Sequence, residues 1–137
     1  LVQTEGRCSY CDHFPLRVDS RPEIDHFQPK SRYPDLAYQW TNLYAACRFC
    51  NGAKRDQWTE QILRPDDPEF AFYRYFEFDI LTGRLHPRPD SSPADQARAL
   101  ETIRILALND GDRPGARLDA IRELRDPAMQ PYRFLME

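Results

Sequence analysis

Four cysteines restrict this chain more than any other feature. Cys8 and Cys11 make one C-x-x-C pair, Cys47 and Cys50 make a second, and residues 12–46 lie between them. Two residues between thiolates let both sulfurs turn to one point, and two such pairs build a tetrahedral four-sulfur zinc site. Two disulfides are one rival, but disulfides belong to exported chains, and Leu1 to Tyr10 contains no apolar run of the secretory type. A redox dithiol is another, but it uses a single C-x-x-C in a βαβ setting. His13 is a nearby alternative ligand; with four cysteines at hand it reads as a surface residue.

Composition explains why a staple is needed. Leu, Ile, Val and Phe make up 29 of the 137 residues, close to the roughly 20% below which chains tend to stay disordered. Structural zinc supplies on the order of 10 kcal/mol of folding free energy, as much as the whole stability of a small domain. The longest apolar runs are as short as Ile105–Leu108, which leaves no membrane-spanning helix. The first residue is not Met, which reads as trimming at the front.

Charge argues against a broadly basic, non-specific nucleic-acid binder. There are 19 Lys and Arg against 22 Asp and Glu, a net charge of −3. Residues 1–58 carry a net +1 and residues 59–137 a net −4, so any polyanion site is local and lies in the first half.

The segment between the cysteine pairs carries the chemistry. Glu23–Phe27 reads as a short strand with Asp25 and His26 adjacent, followed by a proline-containing loop. Trp40–Ala45 reads as a second strand, and a helix is expected to start with Asn51 directly behind the second cysteine pair. Phosphodiester hydrolysis needs a nucleophilic water, a divalent ion on the phosphate and charge relief for the leaving oxygen. His26 can take the proton of a water as general base. Asp25 and Asn51 offer hard oxygens suited to Mg²⁺ or Mn²⁺. Strand neighbours point to opposite faces, so Asp25 and His26 can share a site only where the strand ends or bulges.

Asp25-His26, Trp40-Thr41-Asn42-Leu43 and Cys47-Arg48-Phe49-Cys50-Asn51-Gly52-Ala53-Lys54 together resemble the zinc-stapled form of the HNH nuclease ββα-metal motif. The resemblance implies that Asp25 and Asn51 hold the catalytic ion, that His26 activates water, and that Asn42 braces the loop. It places Lys54 at the substrate phosphate, with Lys30, Arg32, Arg48 and Arg55 able to add to it. Products would carry 5′-phosphate and 3′-hydroxyl ends. A non-catalytic zinc-binding module docking on a protein or nucleic-acid partner is the alternative. It shares the cysteines but has no reason to assemble Asp25, His26 and Asn51.

Beyond the breaker cluster Pro65-Asp66-Asp67-Pro68, six aromatic residues fall between Phe70 and Phe78. They read as a strand packed on the core, with a base-stacking platform as the rival. Residues 74–87 read as a hairpin turning at Thr82-Gly83, with His86 on its surface. Ser92-Pro93-Ala94-Asp95 starts a helix that stops at Asn109-Asp110-Gly111, and a second follows over Arg113–Arg125 with Leu118, Ile121 and Leu124 on one stripe. The expected fold class is α+β: a small ββα-metal core with a four-cysteine zinc site over residues 1–64, then a hairpin and two short helices over residues 65–137 packing on it. The runs Asp25–Ser31, Tyr33–Trp40, Phe78–Gly83 and Thr102–Asn109 resemble the HNH subunits of Septu and retron-associated bacterial anti-phage defence. That resemblance implies a cytoplasmic DNA nuclease controlled by an ATPase partner.

Overall fold

The computed structural model describes residues 4–16 and 21–125, so the end of the expected 65–137 extension lies outside the described residues. Strand β1 (Glu23–His26) pairs antiparallel with β2 (Leu43–Ala46), with Glu23 opposite Ala46 and His26 opposite Leu43. Helix α1 (Arg48–Lys54) follows at once. The first half is therefore a ββα unit.

Two boundaries differ from the sequence reading. Trp40–Asn42 is a 3-10 turn, and the strand begins only at Leu43. The Asn42 backbone N–H donates to the Gln39 carbonyl at 2.9 Å, and its side chain is tied back to Gln28, so the chain turns before it extends. Helix α1 starts at Arg48, inside the cysteine pair, and Asn51 falls mid-helix. The Cys47 sulfur accepts from the Cys50 backbone N–H at 3.4 Å, taking the N-cap role usually filled by an oxygen. Arg55, at φ 47°, ends the helix.

The second half runs α2 (Phe72–Tyr75), β3 (Phe76–Phe78), β4 (Leu85–Pro87), α3 (Pro93–Ile105) and α4 (Arg113–Arg125). β3 and β4 form a second antiparallel pair, Phe78 opposite Leu85. The start of the aromatic run is a helical turn rather than strand: Tyr75 and Phe76 are buried, while Tyr73 lies 73% exposed. Ser92 caps α3 by accepting from the Asp95 N–H at 3.1 Å, with Pro93 at the first helical position. In α4 the apolar stripe is only partly covered: Leu118 and Ile121 are half-buried, Leu124 is exposed, and none of its residues is fully buried.

Cys8, Cys47 and Cys50 sit in one core cluster with Phe27 and Tyr44 of the first half and with Leu85, Ile105, Leu106 and Leu108 of the second. Thr102 of α3 adds a polar tie, its hydroxyl accepting from the Leu63 N–H at 2.9 Å. Among the described residues no helix is long and apolar enough to cross a membrane.

Gly83 (φ +74°) marks where α4 meets the hairpin turn: a Cβ built there would lie 2.1 Å from the Pro114 carbonyl oxygen. Gly83→Ala is therefore expected to cost about 2 kcal/mol or more, since both the left-handed backbone and the clash oppose it. Urea denaturation of the two proteins measures this.

Candidate active site and metal centre

The ligand atoms of Cys8, Cys11, Cys47 and Cys50 all lie within 4.8 Å of one another, and all four cysteines are free of disulfides. Zinc–sulfur bonds of about 2.3 Å place tetrahedral sulfurs about 3.8 Å apart, and the Cys11 and Cys47 sulfurs stand 3.8 Å apart. Backbone N–H groups of Cys47 and Cys50 donate to the sulfurs of Cys8 and Cys47. Hydrogen bonds from Cys11, then Cys50 and Cys8, drive the Cys47 thiol far below its ordinary value, and the same crowding drives Cys50 up. Cys8 falls to about 7, chiefly through Cys11. Sulfurs this close resist ionising together, and a divalent cation among them removes that conflict. The residues fit zinc.

Asp25 and Glu23 share the β1 face that α1 covers, where side chains of alternate residues point the same way. Asp25 is 4% exposed, and its carboxylate lies 3.0 Å from the ammonium of Lys54, which is fully buried. That ammonium also donates to the His26 carbonyl at 2.9 Å. The Tyr10 hydroxyl, from the turn between Cys8 and Cys11, donates to Oδ2, the carboxylate oxygen nearest that ammonium. Burial pushes the Asp25 carboxyl up, while Tyr10 and Lys54 pull it down; the net shift is upward.

His26 closes β1 and stands on the opposite face, in register with Leu43. Its Nε2 pairs with the Ala37 carbonyl at 2.9 Å. A carbonyl can only accept, so Nε2 carries a proton, and in the neutral ring Nδ1 holds the lone pair. Asn42 is buried, accepting from the Gln28 N–H at 2.9 Å and donating to the Gln28 and Leu36 carbonyls, so it joins both ends of the loop that follows His26. Asn51 does not meet Asp25 through a hydrogen bond. Its amide donates to Glu23 at 2.6 Å.

An Asp-His pair closing a strand, an Asn before the return strand and an Asn on the following helix therefore surround one four-sulfur cluster. Residues 8–57 match the HNH endonuclease family. The chain is also 37% identical over 119 residues to the Septu protein PtuB of Bacillus thuringiensis, an alignment covering 82% of this chain and 40% of that protein. It is 29% identical over 81 residues to Protein ea31 of Escherichia phage lambda, covering 59% of this chain and 25% of that one. The chain thus spans less than half the length of either relative.

Within this HNH segment the basic residues part company. Lys30, Arg32, Arg48 and Arg55 are exposed, and Arg32 donates to the Trp58 carbonyl at 2.9 Å. Lys54, expected at the substrate phosphate, is buried and paired with Asp25. Asp25 and Asn51, expected on one ion, hold different partners here, the Lys54 ammonium and the Glu23 carboxylate. Sequence reasoning missed Glu23 and Tyr10. Glu23 was legible, two positions before Asp25 on an alternating strand; Tyr10 carried no local signal. Glu23, Asp25 and Asn51 are the hard-oxygen donors that Mg²⁺ or Mn²⁺ takes. An ion on Asp25 must either share the carboxylate with Lys54 or displace it.

Lys54→Met strands a buried carboxylate and is expected to cost about 3–5 kcal/mol, whereas the Asp25→Asn, Lys54→Met double variant recovers most of that loss. Urea midpoints of the single and double variants measure the coupling. Cys47→Ser is expected to lose zinc and thermal stability together, read by metal content and melting temperature.

Proposed function

We propose that the chain is a metal-dependent endonuclease hydrolysing DNA phosphodiester bonds, with residues 1–64 as the catalytic core and residues 65–137 as an extension packed on it. The observation that carries this reading is the state of His26. Its Nε2 is anchored on a backbone carbonyl, which leaves Nδ1 of the neutral ring to act as base, at the end of a strand in an HNH segment. A water beside Nδ1 loses its proton to the imidazole as it attacks phosphorus. The Ala37 carbonyl keeps the tautomer and ring orientation through that transfer. Asn42, by tying Gln28 to Leu36, keeps Ala37 where His26 needs it.

The divalent ion is assigned to Asp25 and Asn51, with Glu23 orienting the Asn51 amide; when bound, it supplies charge neutralisation at the phosphate and the leaving oxygen. Exposed Lys30, Arg32, Arg48 and Arg55 are assigned to the DNA backbone. Likeness to a Septu protein supports a bacterial cytoplasmic effector of anti-phage defence, working with a regulatory ATPase. A net charge of −3 fits a nuclease that relies on its ion and a partner to bring in DNA. One observation favours the alternative of a non-catalytic zinc module: the Lys54 ammonium already neutralises Asp25.

His26→Ala separates the two readings. On the nuclease reading it leaves fold and zinc content unchanged and lowers Mg²⁺-dependent nicking of plasmid DNA by about 100-fold or more. Nicking at the parent rate, assayed with the partner present, removes His26 from the mechanism; no nicking by the parent itself favours the binding module.

A further inference from the structure

The sulfur cluster reaches past its four cysteines into the last described helix. Arg113, the first residue of α4, donates from Nη2 to the Cys50 sulfur at 2.8 Å. Its Nη1 donates to the carbonyls of Leu106 at 2.6 Å and Ala107 at 3.1 Å. Those carbonyls close α3, where helix geometry leaves acceptors without internal partners. One turn further along, Arg117 donates to the Gly83 carbonyl at 3.0 Å and to the Leu108 carbonyl, and lines a cavity that Cys8 and Cys11 also line.

Two physical facts give this arrangement meaning. Zinc bound by four thiolates carries two net negative charges, and burying such charge is unfavourable unless cations or N–H donors compensate it. Arg113 and Arg117 bring two positive charges to it. Burial lowers the tendency of Arg113 to stay charged, but the Cys50 charge and hydrogen bond, with Cys11 behind them, turn the net shift upward. The second fact is that α4 has no buried residue. Its apolar contacts are partial, with Leu118 against Gly83, so polar ties hold much of the helix, and these ties converge on the zinc cluster, the end of α3 and the hairpin turn.

We propose that Arg113, assisted by Arg117, is part of the metal site: it hydrogen-bonds the Cys50 thiolate, offsets the charge of the zinc-bound cluster and makes the docking of α4 depend on bound zinc. Zinc retention and the position of the C-terminal helix then become one property. Departure of the ion frees the Cys50 sulfur to move, and Arg113 loses the fixed acceptor that ties α4 to the cluster. The site links the HNH segment to whatever α4 presents, and this link does not depend on the nuclease reading.

The test uses the zinc-loaded chain and two variants, Arg113→Met and Arg113→Lys. Zinc release to a chromogenic chelator is followed alongside hydrogen exchange over residues 113–125. Arg113→Met is expected to release zinc about 10-fold or more faster and, while still loaded, to lose protection in α4 with α1 and α3 unchanged. Arg113→Lys restores the charge without the planar fork, so it should fall between Met and the parent in both readouts. Parental zinc release in a folded Met variant, or unchanged α4 exchange, overturns the proposal. If the Met variant does not fold, the Lys variant decides: release faster than the parent supports the proposal, and parental release overturns it.

Discussion

Four sulfur atoms take the place that large apolar side chains fill in better-supplied cores. Cys8, Cys47 and Cys50 are buried among Phe27, Tyr44, Ile105 and Leu106, so the cluster is the centre of the molecule rather than a clip on its edge. Burial of thiolates is costly without a cation and strongly favourable with one. A zinc ion in this cluster would do more than close residues 12–46: it would join the N-terminal turn, the start of α1, the end of α3 and, through Arg113, the base of α4. A chain with so few core formers gains one long-range constraint that its apolar surface alone would supply weakly.

The second constraint is the buried Asp25–Lys54 pair with Tyr10 on its flank. Tyr10 belongs to the first cysteine turn and Lys54 to the last turn of α1, so both ends of the zinc staple grip the same carboxylate. A buried ion pair is weak evidence for stability, because desolvation offsets much of its attraction. Its effect here is geometric: it sets where Asp25 sits relative to the strand end that carries His26. The pair also places a cation where an ion would otherwise approach, which couples metal affinity in this HNH segment to the mobility of one lysine side chain.

Legibility followed the range of the interaction. The cysteine spacing, the alternation along β1 and the Ser92-Pro93 helix start are signals carried by neighbouring residues, and all were readable; α3 itself ends at Ile105, before the expected stop at Asn109-Asp110-Gly111. Misread boundaries arose where a distant group intervened. Cys47 caps α1 with sulfur, moving its start back to Arg48, and Asn42 reaches Gln28 and Leu36, turning Trp40–Asn42 out of the strand. The α4 stripe is legible as an apolar face, but periodicity does not say how much of that face is covered: Leu118 and Ile121 are half-buried and Leu124 is exposed.

Spacing and alternation act within a few residues, so the four-sulfur cluster, the ββα order and the adjacency of Asp25 and His26 are readable along the chain alone. Which partner each charged group takes is settled by folding. Lys54 pairs with Asp25, Asn51 with Glu23, and Arg113 with the Cys50 sulfur 63 positions away. Those choices depend on which groups folding removes from water together, and a buried charge accepts whichever opposite charge or hydrogen-bond partner lies within reach.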